Sequence, residues 1–288
     1  MAEQNTRLGI GLMVATTFVF AMQDGISRHL AGEYNVLMVV MIRYWFFAAF
    51  VIAIAARQEG LRAAAATEQP LVQALRGLLL AAEICVMVLA FVLLGLVESH
   101  AVFACYPLLI AALSGPVLGE RVGWRRWAAI GVGFIGVLII LRPGFTVFAP
   151  EALVPLLSAA MFALYGLLTR YVGRRDSTAT SFFWTGTVGA VFMTAIGIWF
   201  WEPMTGRDWL WMGALCITGA GGHWLLIRTY EVAEASAVQP FAYFQLVFAA
   251  SLGMTVFGET LEPNVAIGAA IVISAGLFTL WRERARAR

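Results

Sequence analysis

The chain has 288 residues, 61% of them hydrophobic and only 12% charged, with a mean hydropathy of +0.83. Soluble domains carry about 25% charged residues, so a water-soluble globular fold is excluded and a polytopic membrane protein is indicated. The formal charge of +2 is dispersed over short connections, with no basic patch interleaved with aromatics, which excludes nucleic acid as a partner.

Charge-poor runs bounded by charges or turn residues divide the chain into about ten spans: 8–28, 35–56, 75–95, 99–118, 124–141, 152–172, 178–201, 209–229, 236–257 and 263–281. Most approach the roughly 20 apolar residues that cross a hydrocarbon core of about 30 Å as a helix. The first run lacks a small-residue cleavage signature after it, so it is expected to be a retained span. The longest connection, Arg57 to Gln73, is too small for a soluble domain. An all-α integral membrane protein follows, with the lipid bilayer as its surroundings. Trp124, Trp127, Trp199, Trp201, Trp209, Trp211 and Trp281 fall at span ends, where amphipathic rings prefer the headgroup region.

The stretch from Glu98 to Arg121 returns as Glu234 to Thr260: an acidic residue, a small-residue step, an apolar run, then Gly119-Glu120 or Gly258-Glu259. Phe20-Ala21-Met22-Gln23 through Arg28 also reads against Phe162-Ala163-Leu164-Tyr165 through Arg170 without a gap. Such self-similarity predicts duplicated units, expected at 1–146 and 147–288. An odd number of spans in each unit inverts the second relative to the first. Placing the N-terminus inside leaves only Arg28, Arg142 and Arg207 on the outer side, which predicts that both termini are cytoplasmic.

A charge inside a span is expensive enough to suggest function. Asp24, Arg43 and Glu83 are therefore candidates for ion pairing or for coupling; Asp24 and Arg28, at i, i+4 spacing, could pair along one helix. His223 follows a glycine-rich step, where a histidine is more often a hydrogen-bonded core residue than a ligand. Gln23, Phe103, Tyr106, Tyr165, Trp184, Tyr243 and Gln245 join His223 as candidate substrate contacts. An aromatic, weakly polar lining suits an organic substrate with a flat apolar part, although packing alone accounts for many such residues. Pro107 and Pro116 are expected to interrupt the fourth span and Pro240 to open the ninth, as candidate hinges.

No pattern for catalysis is present. Cys85, Cys105 and Cys216 lack the spacing of metal or disulfide sets, and neither a zinc-type His-Glu-x-x-His helix nor a phosphate-cradling Gly-Lys loop occurs. No catalytic residue, metal or cofactor is expected.

Pro107 and the apolar run to Leu118-Gly119-Glu120-Arg121, the glycine-rich run from Ile130 to Leu141, and their second copy at Val256-Phe257-Gly258-Glu259 and Ala266 to Leu280 resemble the drug/metabolite transporter superfamily, EamA type. Arg43 matches an arginine often seen in the second span of that family. Leu246 stands where the first copy has Pro107. The resemblance covers essentially the whole chain and implies two inverted five-helix repeats around a central cavity. Within the family the chain is similar to YddG-type exporters of aromatic amino acids. The expected function is export of a small amphipathic metabolite, an amino acid with an aromatic or large apolar side chain, across a bacterial inner membrane by alternating access. Export of lipophilic cations, or a receptor or scaffold that transports nothing, are the alternatives. The oligomeric state stays open, a monomer being plausible.

Overall fold

A computed structural model describes residues 5–58, 60–119, 123–141, 151, 153–233 and 238–287. Helices account for all the regular structure among them: α1 Thr6–Glu33, α2 Val36–Arg57, α3 Leu61–Ala65, α4 Pro70–Phe103, α5 Tyr106–Leu118, α6 Trp124–Leu141, α7 Leu153–Val172, α8 Thr178–Gly197, α9 Gly206–Val232, α10 Phe244–Val256 and α11 Pro263–Ala287. Several starts are written in the sequence. Asn5, Asn35, Ser177 and Thr205 each accept a hydrogen bond from a first-turn backbone N–H, the usual cap for an orphan donor.

Seven of these helices are long and apolar enough to cross a membrane. The ten expected spans are nevertheless recognisable. α5 and α10 are shorter because the fourth and ninth spans are broken, and α9 is long but carries Arg207, Asp208, His223 and Arg228. Only α3, a single short helix in the longest connection, was unexpected.

The packing repeats across the two halves. α1 lies on α9 and α10, and its counterpart α7 lies on α4 and α5; α2 pairs with α8, and α6 with α11. Exchanging the halves maps each of these pairs onto another or onto itself, as a two-fold axis between inverted five-span units requires. α6 and α11 approach closely at Gly136 and Gly268, where a Cβ on Gly268 would stand 2.5 Å from the Gly136 carbonyl oxygen. Apolar side chains fill two regions. One joins α1, α2, α4, α8 and α9 through Leu30, Met38, Phe91, Met193 and Leu215. The other joins the end of α4 with α5, α6 and α11 through Val97, Leu108, Val137 and Val272.

The breaks differ from those expected of the prolines. α4 runs through the expected boundary between the third and fourth spans and kinks at Gly95, whose φ of 83° and ψ of 177° only glycine adopts without strain. The fourth span breaks at Ala104 and Cys105, and Pro107 opens α5, where its missing N–H costs nothing. Pro116 does not interrupt α5, which continues past it to Leu118, where Gly119 in the left-handed region ends the helix. Pro240 opens a 3-10 turn, Gln239–Tyr243, ahead of α10. Both members of the repeated stretch are thus a short turn or helix followed by a longer one.

At the end of the bundle that holds the termini, Arg76 is 1% exposed, although its place at a span edge suggests a surface arginine. It lies in the second turn of α4 because that helix begins at Pro70. Its guanidinium donates to Gln73 Oε1 at 2.9 Å, Thr169 Oγ1 at 3.1 Å, Tyr165 Oη at 3.2 Å and the Ser181 carbonyl. Gln73 Nε2 in turn donates to Asp176 Oδ2 at 2.8 Å, in the turn between α7 and α8. Burial works against the charge of Asp176, but hydrogen bonds from Thr67, Gln73 and the Glu68 N–H, with Arg76 nearby, hold its carboxyl below the usual carboxylate range. A lowered folded-state pKa contributes stability above the unfolded value of about 3.9 and loses it as pH falls through the folded value. Wild-type protein should therefore lose melting temperature between about pH 5 and pH 2 more steeply than Asp176→Asn; equal slopes in a thermal-shift series would detach Asp176 from acid unfolding.

Candidate functional site

Two clusters of rings face the interior, each drawing on both halves of the chain. Phe20 of α1, Phe47 of α2, Phe182 of α8 and His223 of α9 form the first, with His223 5.4 Å from Phe20, 5.5 Å from Phe47 and 6.1 Å from Phe182 between centroids. Phe103 of α4, Tyr106 of α5 and Phe162 of α7 form the second, at mutual distances of 5.0–5.4 Å. Offset and edge-on geometries at these separations are favourable for aromatic pairs. Phe20 and Phe162 open the two copies of the gapless match between the halves. The pseudo-symmetry therefore places one repeated phenylalanine in each cluster.

Next to the first cluster lies a small cavity lined by Arg43, Tyr44, Phe47, Leu80, Ile84, Cys216, Gly219 and His223, of about 20 Å³. Arg43 makes no ion pair among the described residues, and a side chain at Gly219 would meet both its Nε and the Gln23 Oε1. Next to the second cluster, a cavity of about 40 Å³ brings together His100, Phe103, Tyr106, Pro107, Tyr243, Gln245 and Leu246. Both volumes fall far below the roughly 300–1,000 Å³ of sites that hold a small molecule, so this arrangement closes side chains around the interior.

Between the cavities stand the buried acids. Ser158 of α7 donates to Glu83 Oε1 at 2.6 Å. Asp24 does not pair with Arg28, because its carboxylate turns inward: Gln245 Nε2 donates to Asp24 Oδ2 at 3.0 Å, and His100 Nε2 stands 3.1 Å from the same oxygen. Arg28 instead pairs with Glu259 and lies 4.1 Å over the Phe257 ring. A partner from a distant part of the chain can approach either group end-on, which the i, i+4 geometry of one helix does not allow as well.

Glu259 has a second task. Its Oε1 and Oε2 accept the backbone N–H groups of Leu96 and Val97, each at 2.8 Å, capping the helical segment after the Gly95 kink. A Cβ at Gly95 would stand 2.6 Å from Glu259 Oε1, so the glycine also makes room for the carboxylate. Gly258, with φ 67°, turns the chain so that Glu259 reaches across to the other half. This gives the second Gly-Glu a physical role; Glu120 of the first lies outside the described residues.

The expected substrate contacts divide accordingly. Phe103, Tyr106, Tyr243 and Gln245 share one cavity, and Gln23, Arg43 and His223 surround the other. The Tyr243 hydroxyl, however, points toward Gly276 of α11 and has no hydrogen-bond partner among the described residues. Tyr165 is drawn aside by Arg76, which lies 5.2 Å over its ring. Trp184 is not brought to the centre: its Nε1 donates to the Ala65 carbonyl at 3.1 Å, and the ring lines an outward apolar hollow with Leu78, Phe183 and Val188. α3 supplies that acceptor and holds the indole at the periphery. Phe20, Phe47, Phe162, Phe182, His100 and Ser158 join the site without a place among the sequence candidates. The repeat itself points to Phe20 and Phe162; the others depend on helix rotation, which no short motif encodes. Among the described residues no cluster of metal-ligating side chains occurs.

The sequence profile of the EamA-like transporter family matches residues 7–142 and again 150–281. An S-adenosylmethionine uptake transporter of Rickettsia prowazekii is 25% identical over 279 residues, covering 96% of this chain and 93% of that protein. A riboflavin transporter of Vibrio cholerae is 32% identical over 180 residues, 62% of this chain and 60% of that one. A pseudopaline exporter of Pseudomonas aeruginosa is 23% identical over 271 residues, 93% of this chain and 94% of that one. A solved crystal structure, 21% identical, superimposes with a TM-score of 0.61 over 97% of this chain and 98% of its own, a likeness of fold.

Proposed function

Because the chain belongs to the EamA-like transporter family and is a multi-pass membrane transporter, we propose that it carries a small metabolite that joins a flat ring to a carboxylate, of the amino-acid type. The observation that carries this reading is Arg43, a cation in the interior with no ion pair among the described residues, lining a cavity beside the Phe47 and His223 rings. A carboxylate would satisfy the guanidinium bidentately, and a ring would stack among the Phe47 and His223 rings beside it. S-adenosylmethionine, named for one group of relatives, has both parts; riboflavin has the ring and lacks the carboxylate. Aromatic amino acids also have both parts and are the second substrate class, favoured by the small closed cavities. A lipophilic cation without a carboxylate fits poorly, since it offers Arg43 no counter-charge.

Counterflow in proteoliposomes tests the reading. Labelled S-adenosylmethionine or phenylalanine should exchange, with phenylalanine amide a poor competitor because it has lost the carboxylate. Strong riboflavin exchange with neither amino-acid-type compound carried would sink it. The direction of net transport would follow from the gradients, export being the reading for an aromatic amino acid.

The two repeats are taken as 1–146 and 147–288, in a bacterial inner membrane with both termini in the cytoplasm. The arginine asymmetry supports this orientation, since Arg28 and Arg207 lie at the end of the bundle away from the termini. Alkaline phosphatase, active only in the periplasm, should be inactive when fused after Arg288; an active fusion would reverse the orientation.

A further inference from the structure

We propose that His100 and Asp24 form a proton site that couples substrate movement to a proton gradient, an inference that gives the transport reading above its driving force. The two groups are 4% and 9% exposed, with His100 Nε2 and Asp24 Oδ2 3.1 Å apart. The imidazole stacks on Phe91, 5.2 Å between centroids, and meets Phe103 edge-on at 6.5 Å, so apolar rings replace water around it. No aligned hydrogen bond engages its Nε2 among the described residues. The contact is therefore an attraction chiefly when the imidazole carries its proton.

A lone imidazolium or a lone carboxylate is costly in a low-dielectric interior, whereas the pair with one proton between them has no net charge. The partners stand on separate elements. Asp24 is on α1, His100 is on the segment of α4 beyond the Gly95 kink, and Gln245, which donates to the same carboxylate oxygen, is on α10 of the other half. The other charged or titratable groups around the pair are Arg28 on α1, Arg43 on α2, Glu83 on α4, Tyr106 on α5, Tyr243 ahead of α10 and Glu259 beyond it. Arg28 is engaged by Glu259 and Glu83 by Ser158. Parting α1 from α4 admits water, and the imidazole nitrogen releases its proton to that water. Re-forming the pair takes one proton from whichever side is then open. One proton is bound on closure and the same one released on opening.

The full chain in lipid nanodiscs, labelled with ¹⁵N-histidine, tests the pair without any substrate. The three histidines are resolved by comparison with His100→Asn. The ¹⁵N signals of the His100 ring should report a changed protonation state in Asp24→Asn and in Gln245→Leu, where the carboxylate loses a competing donor. A His100 protonation state unchanged in both variants overturns the proposal. In proteoliposomes with S-adenosylmethionine as the probe, an inward or outward pH gradient should accelerate wild-type transport several-fold. His100→Asn should lose that response while exchange at equal pH persists, and Glu83→Gln should keep it. A response that survives His100→Asn, or that Glu83→Gln removes instead, also overturns it. If S-adenosylmethionine is not carried at all while the His100 protonation state changes in Asp24→Asn, the substrate reading falls and the proton site stands.

Discussion

Glu259→Ala should destabilise the protein by about 2–4 kcal/mol, the sum expected of two charge-assisted backbone hydrogen bonds and a partly exposed ion pair. Three contacts disappear together: the ion pair with Arg28 and the two backbone N–H bonds at Leu96 and Val97. What remains is worse than their absence, because Arg28 lies against the Phe257 ring without its counter-ion. The two N–H groups also begin a helical segment with no cap. Glu259→Gln keeps an acceptor for one of them and should recover roughly half the loss. Chemical or thermal unfolding in a fixed detergent measures this, and an alanine variant within about 1 kcal/mol of wild type would show that the contacts do not act together. Because the same carboxylate ties the two halves at the end away from the termini, the surviving protein should also expose cysteines introduced near Gly95 to aqueous reagents.

Arg43→Ala should raise the KM for the carboxylate-bearing substrate by about 10- to 150-fold, the equivalent of one lost charge-assisted hydrogen-bonded contact of roughly 1.5–3 kcal/mol. Arg43→Lys should restore only part of it, since an ammonium keeps the charge but cannot match both carboxylate oxygens. Folding should be little affected, because Arg43 makes no ion pair among the described residues that its removal would orphan. Unchanged KM in Arg43→Ala, with expression and melting near wild type, would remove Arg43 from the binding site and with it the amino-acid-type substrate.

The spans, their number and the inverted duplication were legible because hydropathy and self-similarity are properties of whole stretches. So was the convergence of Phe103, Tyr106, Tyr243 and Gln245, which share the repeated stretches and therefore the centre of the bundle. What escaped were contacts made end-on between helices far apart in sequence. Asp24 offered an obvious local partner in Arg28, yet both turn to residues more than 70 positions away, at His100 and Glu259. His100 belonged to a small-residue step that carried no chemical signal of its own. Trp184 is a ring within a span, but position along a helix says nothing about which face points outward. Proline drew attention as the source of bends, whereas the kink at Gly95 is explained only once Glu259 is seen to fill the space above it.

That a carboxylate near the end of one half caps a helix belonging to the other bears on heredity as well as on mechanics. Neither half carries the complete set of groups that its own backbone needs, since the Thr205 N–H of the second donates in turn to Tyr34 Oη of the first, so each is a partner to the other before it is a domain. Two separate genes encoding 1–146 and 147–288 should rebuild a working protein when expressed together, as an antiparallel pair of distinct polypeptides. Such a pair would have to keep Gly95 and Glu259 in step, a change in either restricting what the other can become. Duplication followed by this mutual dependence would fix the orientation of each half, since neither could turn over in the membrane without abandoning its counterpart.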